Sequence, residues 1–165
     1  IPDVDWMLGP EVARGLRTIT AADLTFDALV RPPHLPNLRR LLDRHPELRV
    51  VIDHGAKPEI GEGVREPWAT HMAGLARETR AWVKLSGLVT EDGSGWSVER
   101  LRPYVDHLLV CFGPGRMIFG SDWPVASQAT TYRRWVETID ELTLVWPESA
   151  KRKLWNENAR RFYRL

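Results

Sequence analysis

The chain has 165 residues, enough for one ordinary domain with its own hydrophobic core. Its residues are 43% hydrophobic and 27% charged, the balance of a folded globular protein, which excludes an intrinsically disordered one. A formal net charge of +1 with both signs interspersed leaves no basic stripe for nucleic acid and no polybasic membrane patch, and no apolar run approaches the roughly 18 residues of a membrane span.

Residues 1–10, rich in Pro, Asp and Gly, read as loop. A start at Ile1 rather than Met suggests a processed or partial product. From Glu11 the apolar positions Val12, Leu16 and Ile19 recur at helical spacing behind Pro10, which suits a first turn. LTFDALV (24–30) is strand-like, and LPNLRRLLDRHPEL (35–48) is an amphipathic helix stopped by Pro46. RVVID (49–53) is a buried strand, and a Gly/Pro loop (55–63) leads to the helix EPWATHMAGLARETR (66–80). AWVKLSG (81–87) is the third strand, followed by a polar Gly/Ser loop and the helix SVERLRPYVDHLLVCFG (97–113). GRMIFGSDWP (115–124) carries the last strand, and residues 131–145 and 147–165 are helical, with Pro147 and Glu148 suited to a helix start.

Strand and helix thus alternate four times, which implies a parallel sheet with right-handed crossovers in one domain over residues 1–165. Ligands of such folds meet the carboxyl ends of the strands. The titratable groups gather there: Asp27, Asp53 and His54, Lys84 and Ser86, and Asp122. Alternation along a strand puts Lys84 and Ser86 on one face and turns Asp53 away from His54, so Asp53 is expected to fix local structure. Lys84 either presents a positive charge to substrate or pairs with a nearby aspartate. Trp123 and Pro124 would shape an apolar wall. His34 shares this rim, whereas His45, His71 and His107 read as packing or solvated residues. The single cysteine, Cys111, excludes an internal disulfide and reads as a structural thiol; a reducing, cytoplasmic location fits it.

VIDHGAKP (51–58), WVKLSGLV (82–89), FGPGRMIFGSDWPV (112–125) and the terminal NARRFYRL (158–165) resemble the amidohydrolase-2 family, in its sugar-lactonase-like branch, which includes L-fuconolactonases. The resemblance spans essentially the whole chain. It implies an α/β fold of parallel (β/α) units forming the C-terminal half of a TIM-like (β/α)8 barrel, about the last four strand–helix units. It further implies a hydrolase that opens a small sugar-derived lactone, with Asp122 as general base for the attacking water and His54 polarising the carbonyl, stabilising the developing oxyanion or serving as a metal ligand. Lys84, Ser86, Trp123 and Asp27 are the implied substrate-binding residues. A divalent metal (zinc or manganese) is implied only if His54 and Asp122 serve as ligands, and the family's His-x-His pair occurs nowhere in these 165 residues. Two other readings stand beside this one. The first is a metal-dependent hydrolase or decarboxylase of the same superfamily. The second is an inactive half-barrel whose open edges and apolar inner face drive dimerisation, with itself or with a missing N-terminal half.

Overall fold

The structure, a computed structural model, describes residues 3–165; the reading of Ile1 and Pro2 lies outside the described residues. Four strands, β1 (Thr25–Ala28), β2 (Arg49–Ile52), β3 (Trp82–Leu85) and β4 (Met117–Phe119), form one parallel sheet in the order β1-β2-β3-β4. The register sets Ala28 beside Ile52, Ile52 beside Val83 and Val83 beside Met117, so these residues share one face. All four are buried in the main core. The helices α1 (Pro10–Ala21), α2 (Leu35–Arg44), α3 (Trp68–Glu78), α5 (Val98–Phe112) and α6 (Tyr132–Leu142) contribute buried residues to that same core. The α/β alternation read from the sequence is the observed one.

Two of the long helices start at a side-chain cap that their sequence supplies. Ser97 accepts a hydrogen bond from the Arg100 backbone N–H ahead of α5, and Thr131 accepts one from Arg134 ahead of α6. In α2, Leu38, Leu41 and Leu42 form the buried stripe expected of helical spacing. The polar stretch after β3 departs from expectation, because it holds a short helix, α4 (Leu88–Asp92), with Leu88 and Val89 buried. The Arg100 side chain grips Asp92 and reaches the carbonyls of Ile60 and Gly61, so a charged side chain organises what composition presents as a free loop.

The C-terminal helix is also more elaborate than its sequence suggests. It runs as α7 (Glu148–Arg152), a π-helical stretch over Lys153–Glu157, and α8 (Asn158–Tyr163). The Asn158 side-chain amide donates to the carbonyls of Pro114 and Met117, both at 2.7 Å, and fixes α8 at the entry to β4. From there α8 covers the sheet face turned away from the main core. Phe162 is buried with Val51 and Ile118 and lies 5.4 Å, centroid to centroid, from Trp82. The expectation of an exposed apolar inner face is therefore corrected: Val51 and Ile118 are covered by the chain's own last turns. Strands β1 and β4 remain the edges of the sheet. Among the described residues no helix is long and apolar enough to cross a membrane.

Candidate active site

Strand β2 ends at Ile52, and two residues later the backbone enters a left-handed run: φ is 52° at His54, 55° at Gly55, 62° at Ala56 and 52° at Lys57. Only Gly55 adopts this conformation without steric cost; each of the others costs about 1–2 kcal/mol. Asp122, just beyond β4, also has a positive φ, 54°. Both sequence-nominated catalytic residues thus occupy strained backbone, a condition that persists only where surrounding structure enforces it and that clusters at functional sites. The turn after Asp122 does not use its carboxylate as a cap: Ser121 Oγ accepts from the Trp123 N–H, and the Asp122 backbone carbonyl accepts from Ala126.

The two corners bring their side chains together. His54 Nδ1 is 2.8 Å from Ser86 Oγ, and His54 Nε2 is 3.5 Å from Asp122 Oδ1. An ionised Asp122 only accepts, so we assign the ring proton to Nε2, which makes Nδ1 the acceptor for the Ser86 hydroxyl. Burial holds the His54 pKa below its ordinary value against the opposing pull of Asp122 and Asp53, so the imidazole is neutral at pH 7. Ser86 is 1% exposed, with its hydroxyl against the His54 ring. Two glycines make room for this packing. A Cβ on Gly87, where φ is +62°, would lie 2.8 Å from His54 Cγ and Nδ1, and one on Gly120 would lie 2.9 Å from Ser86 Cβ.

A second polar group occupies the same sheet face. Lys84 Nζ donates to Asp27 Oδ2 at 2.6 Å and pairs with Asp53 Oδ1 at 2.9 Å. The phenol of Tyr163, on α8, donates to the same Asp27 oxygen at 2.7 Å. Burial alone would push the Lys84 ammonium down, but hydrogen bonds to Asp27, Asp53 and Tyr163 outweigh it and hold the pKa above the ordinary lysine value. Burial, with the Asp27 carboxylate next, pushes the Tyr163 phenol up to about 12. Lys84 is therefore a fixed cation between two carboxylates. Asp27 is tied to two donors and Asp53 is the lysine's second counter-ion.

The remaining nominated residues separate clearly. Trp123 is 71% exposed next to Asp122, free to form a wall. His34 is buried, and its Nδ1 accepts from the Arg31 N–H. His45 ends α2, and His107 Nε2 lies 2.9 Å from the Ala69 carbonyl. His71 lies in the first turn of α3, with its Nδ1 buried and without a hydrogen-bond partner. Cys111 is half-buried on α5, and burial pushes its thiol up, away from nucleophile behaviour. Sequence reasoning missed Lys57, which pairs with Glu91 at 2.5 Å and, with Trp6, Leu29 and Arg31, lines a cleft of 440 Å³ reaching Asp27. It also missed the partners of the left-handed corners. The run of Gly55 and Lys57 after a strand end was the available signal, but positive φ at His54 and Ala56 cannot be read from residue type.

As metal donors, His54 Nε2 and Asp122 Oδ1 are the only nominated pair, and no cluster of three or more His, Cys, Asp or Glu is formed among the described residues. A zinc site uses at least three protein ligands. This donor set does not fit a metal centre by itself.

Paired polar groups at the carboxyl ends of parallel strands, with a histidine against a carboxylate, lie where α/β-barrel proteins bind their ligands. The chain belongs to the amidohydrolase family (Amidohydro_2), whose family model matches residues 1–165. It is 39% identical to an L-fucono-1,5-lactonase of Burkholderia ambifaria over 100% of this chain and 58% of that protein. It is 34% identical to an L-fucono-1,5-lactonase of Burkholderia multivorans over 94% of this chain and 56% of that protein. A crystal structure of a zinc-bound amidohydrolase from Burkholderia multivorans superposes with a TM-score of 0.93 at 30% identity, covering 98% of this chain and 60% of that one. The chain therefore spans somewhat over half the length of these relatives, and its sheet is part of an amidohydrolase barrel.

Proposed function

We propose that this chain carries the Asp122–His54 machinery of a hydrolase that opens a small sugar-derived lactone, acting within a barrel completed across the edges of β1 and β4. One observation carries the reading: His54 and Asp122, from different strand ends and both in left-handed backbone, meet at 3.5 Å. Similarity to two L-fucono-1,5-lactonases supports the substrate class.

The ionised Asp122 carboxylate takes a proton from water as the water oxygen attacks the lactone carbonyl carbon. The neutral imidazole offers its Nε2–H to the oxyanion that develops, and Ser86 holds the ring in that orientation. Collapse of the tetrahedral intermediate breaks the ring C–O bond, and the proton on Asp122 passes to the departing alkoxide, giving the hydroxy acid. Lys84 adds positive field at the site, and Trp123 is placed to flank a sugar ring. Such chemistry belongs to carbohydrate metabolism, and the lone thiol of Cys111 suits a reducing cytoplasmic compartment.

The zinc in the Burkholderia multivorans structure favours, as a second reading, a metal-dependent member of the family whose further ligands come from other strands. The test is aldonolactone hydrolysis by this chain, alone and completed by the N-terminal strands of a lactonase relative, with metal content measured in parallel. The proposal expects hydrolysis in at least one form and a loss of about 100-fold or more in Asp122→Asn. No hydrolysis in either form, or an Asp122→Asn variant as active as wild type, would overturn it.

A further inference from the structure

Two buried tryptophans stand outside the chemistry described so far and make the same contact. Trp68, on α3, donates its indole N–H to the Gly55 carbonyl at 2.7 Å. Trp135, on α6, donates its indole N–H to the Gly120 carbonyl at 2.9 Å. Gly55 lies inside the left-handed run beside His54, and Gly120 lies two residues before Asp122. Each tryptophan belongs to a helix that follows the strand whose end it grips, α3 after β2 and α6 after β4.

From this geometry we infer that Trp68 and Trp135 are positioning residues, whose indole N–H groups hold the left-handed corners that carry His54 and Asp122. The inference rests on the catalytic roles proposed for those two residues. A left-handed run with three residues bearing a Cβ does not maintain itself. Its backbone needs partners that exist only in that conformation. Inside the run, Lys57 N–H donates to the His54 carbonyl at 2.8 Å. The Gly55 carbonyl points instead at a donor set by tertiary packing, and a buried acceptor without that donor favours a turned-over peptide. The donor cannot follow such a movement. Trp68 is 2% exposed, and its ring is wedged against Tyr104 at 5.4 Å and His107 at 5.2 Å. Trp135 is equally enclosed in the main core. At the second corner the Gly120 N–H is held by the Leu85 carbonyl at 3.1 Å, so with Trp135 on its carbonyl Gly120 is fixed on both sides, two residues before Asp122.

A third tryptophan provides an internal control. Trp96 also donates its indole N–H, to the Ala129 carbonyl at 3.0 Å, but grips neither corner.

The test compares Trp68→Phe, Trp135→Phe and Trp96→Phe, each of which keeps an aromatic ring and removes the donor. Backbone 13C shifts of residues 54–57 and 122 are measured in the chain, and kcat and KM for an aldonolactone in the completed barrel. Trp68→Phe is expected to erase the left-handed shifts at 54–57, and Trp135→Phe those at 122. Both should lower kcat by about 10- to 100-fold with KM within about twofold, because misplacement of a reacting group by an ångström is worth that much. Trp96→Phe should leave all of these unchanged. In the unaltered chain both indole protons of Trp68 and Trp135 should exchange slowly with deuterated solvent. Unchanged shifts and kcat in both corner variants, an equal loss in Trp96→Phe, or rapid exchange of either indole proton would overturn the inference. If the shift pattern holds but the completed barrel hydrolyses no lactone, the positioning role stands and the hydrolytic reading falls.

Discussion

His54 is pulled in opposite directions by its surroundings. Burial favours the neutral imidazole, whereas Asp122 and Asp53 favour the charged one, and burial prevails. The unfolded chain takes up a proton at His54 as pH falls through about 6.5, while the folded chain resists until lower pH, so His54 costs stability only as pH drops below that point. The acid limb of kcat/KM for lactone hydrolysis should accordingly lie below pH 6.5. A limb at or above 6.5 would show that the imidazole protonates as freely as one in water. The orientation of the ring depends on Gly87, where a Cβ would sit 2.8 Å from the imidazole at a φ of +62°. Gly87→Ala should cost about 1–2 kcal/mol in a denaturant melt and lower activity by about 100-fold through displacement of His54. An active variant of unchanged stability would mean that the ring is not held where the structure places it.

At the scale of elements, the sequence pattern was sufficient for the strands and the long helices and insufficient for the short or strained pieces. The buried stripe of Leu38, Leu41 and Leu42 reports its face through its helical period, and the apolar run of β2 reads as a strand buried on both faces through its short length, its β-branched residues and the Gly/Pro loop that follows it. Asp122, His54 and Ser86 were legible as strand-end residues for the same reason. The five residues of α4 are too few to show a period, and they are held by Asp92 and Arg100 rather than by local propensity. The left-handed run at 54–57 depends on a donor from α3, a tertiary contact with no local signature. The coverage of Val51 and Ile118 by α8 was likewise invisible, because a helix pattern does not say which sheet face it will meet. That contact makes its own prediction. Phe162→Ala should destabilise the chain by about 3–5 kcal/mol, measured as a shift in urea midpoint, since it opens the cluster that closes the inner face. A shift of less than about 1 kcal/mol would mean that α8 does not dock there in solution.

Over the whole molecule, the sheet, its outer helices and the inner-face helix make a self-contained packing unit with two open edges. The site sits at the carboxyl ends of β2, β3 and β4, where His54, Ser86 and Asp122 converge. In the proposed reaction His54 and Asp122 act as one catalytic unit on a lactone. The most direct test is a double-mutant cycle, with His54→Gln, Asp122→Asn and the double variant assayed for aldonolactone hydrolysis in the completed barrel. Residues that work as a unit give grossly non-additive losses, so the double variant should be about as impaired as the worse single one. Losses that multiply as if independent, or a single variant with wild-type activity, would contradict the claim.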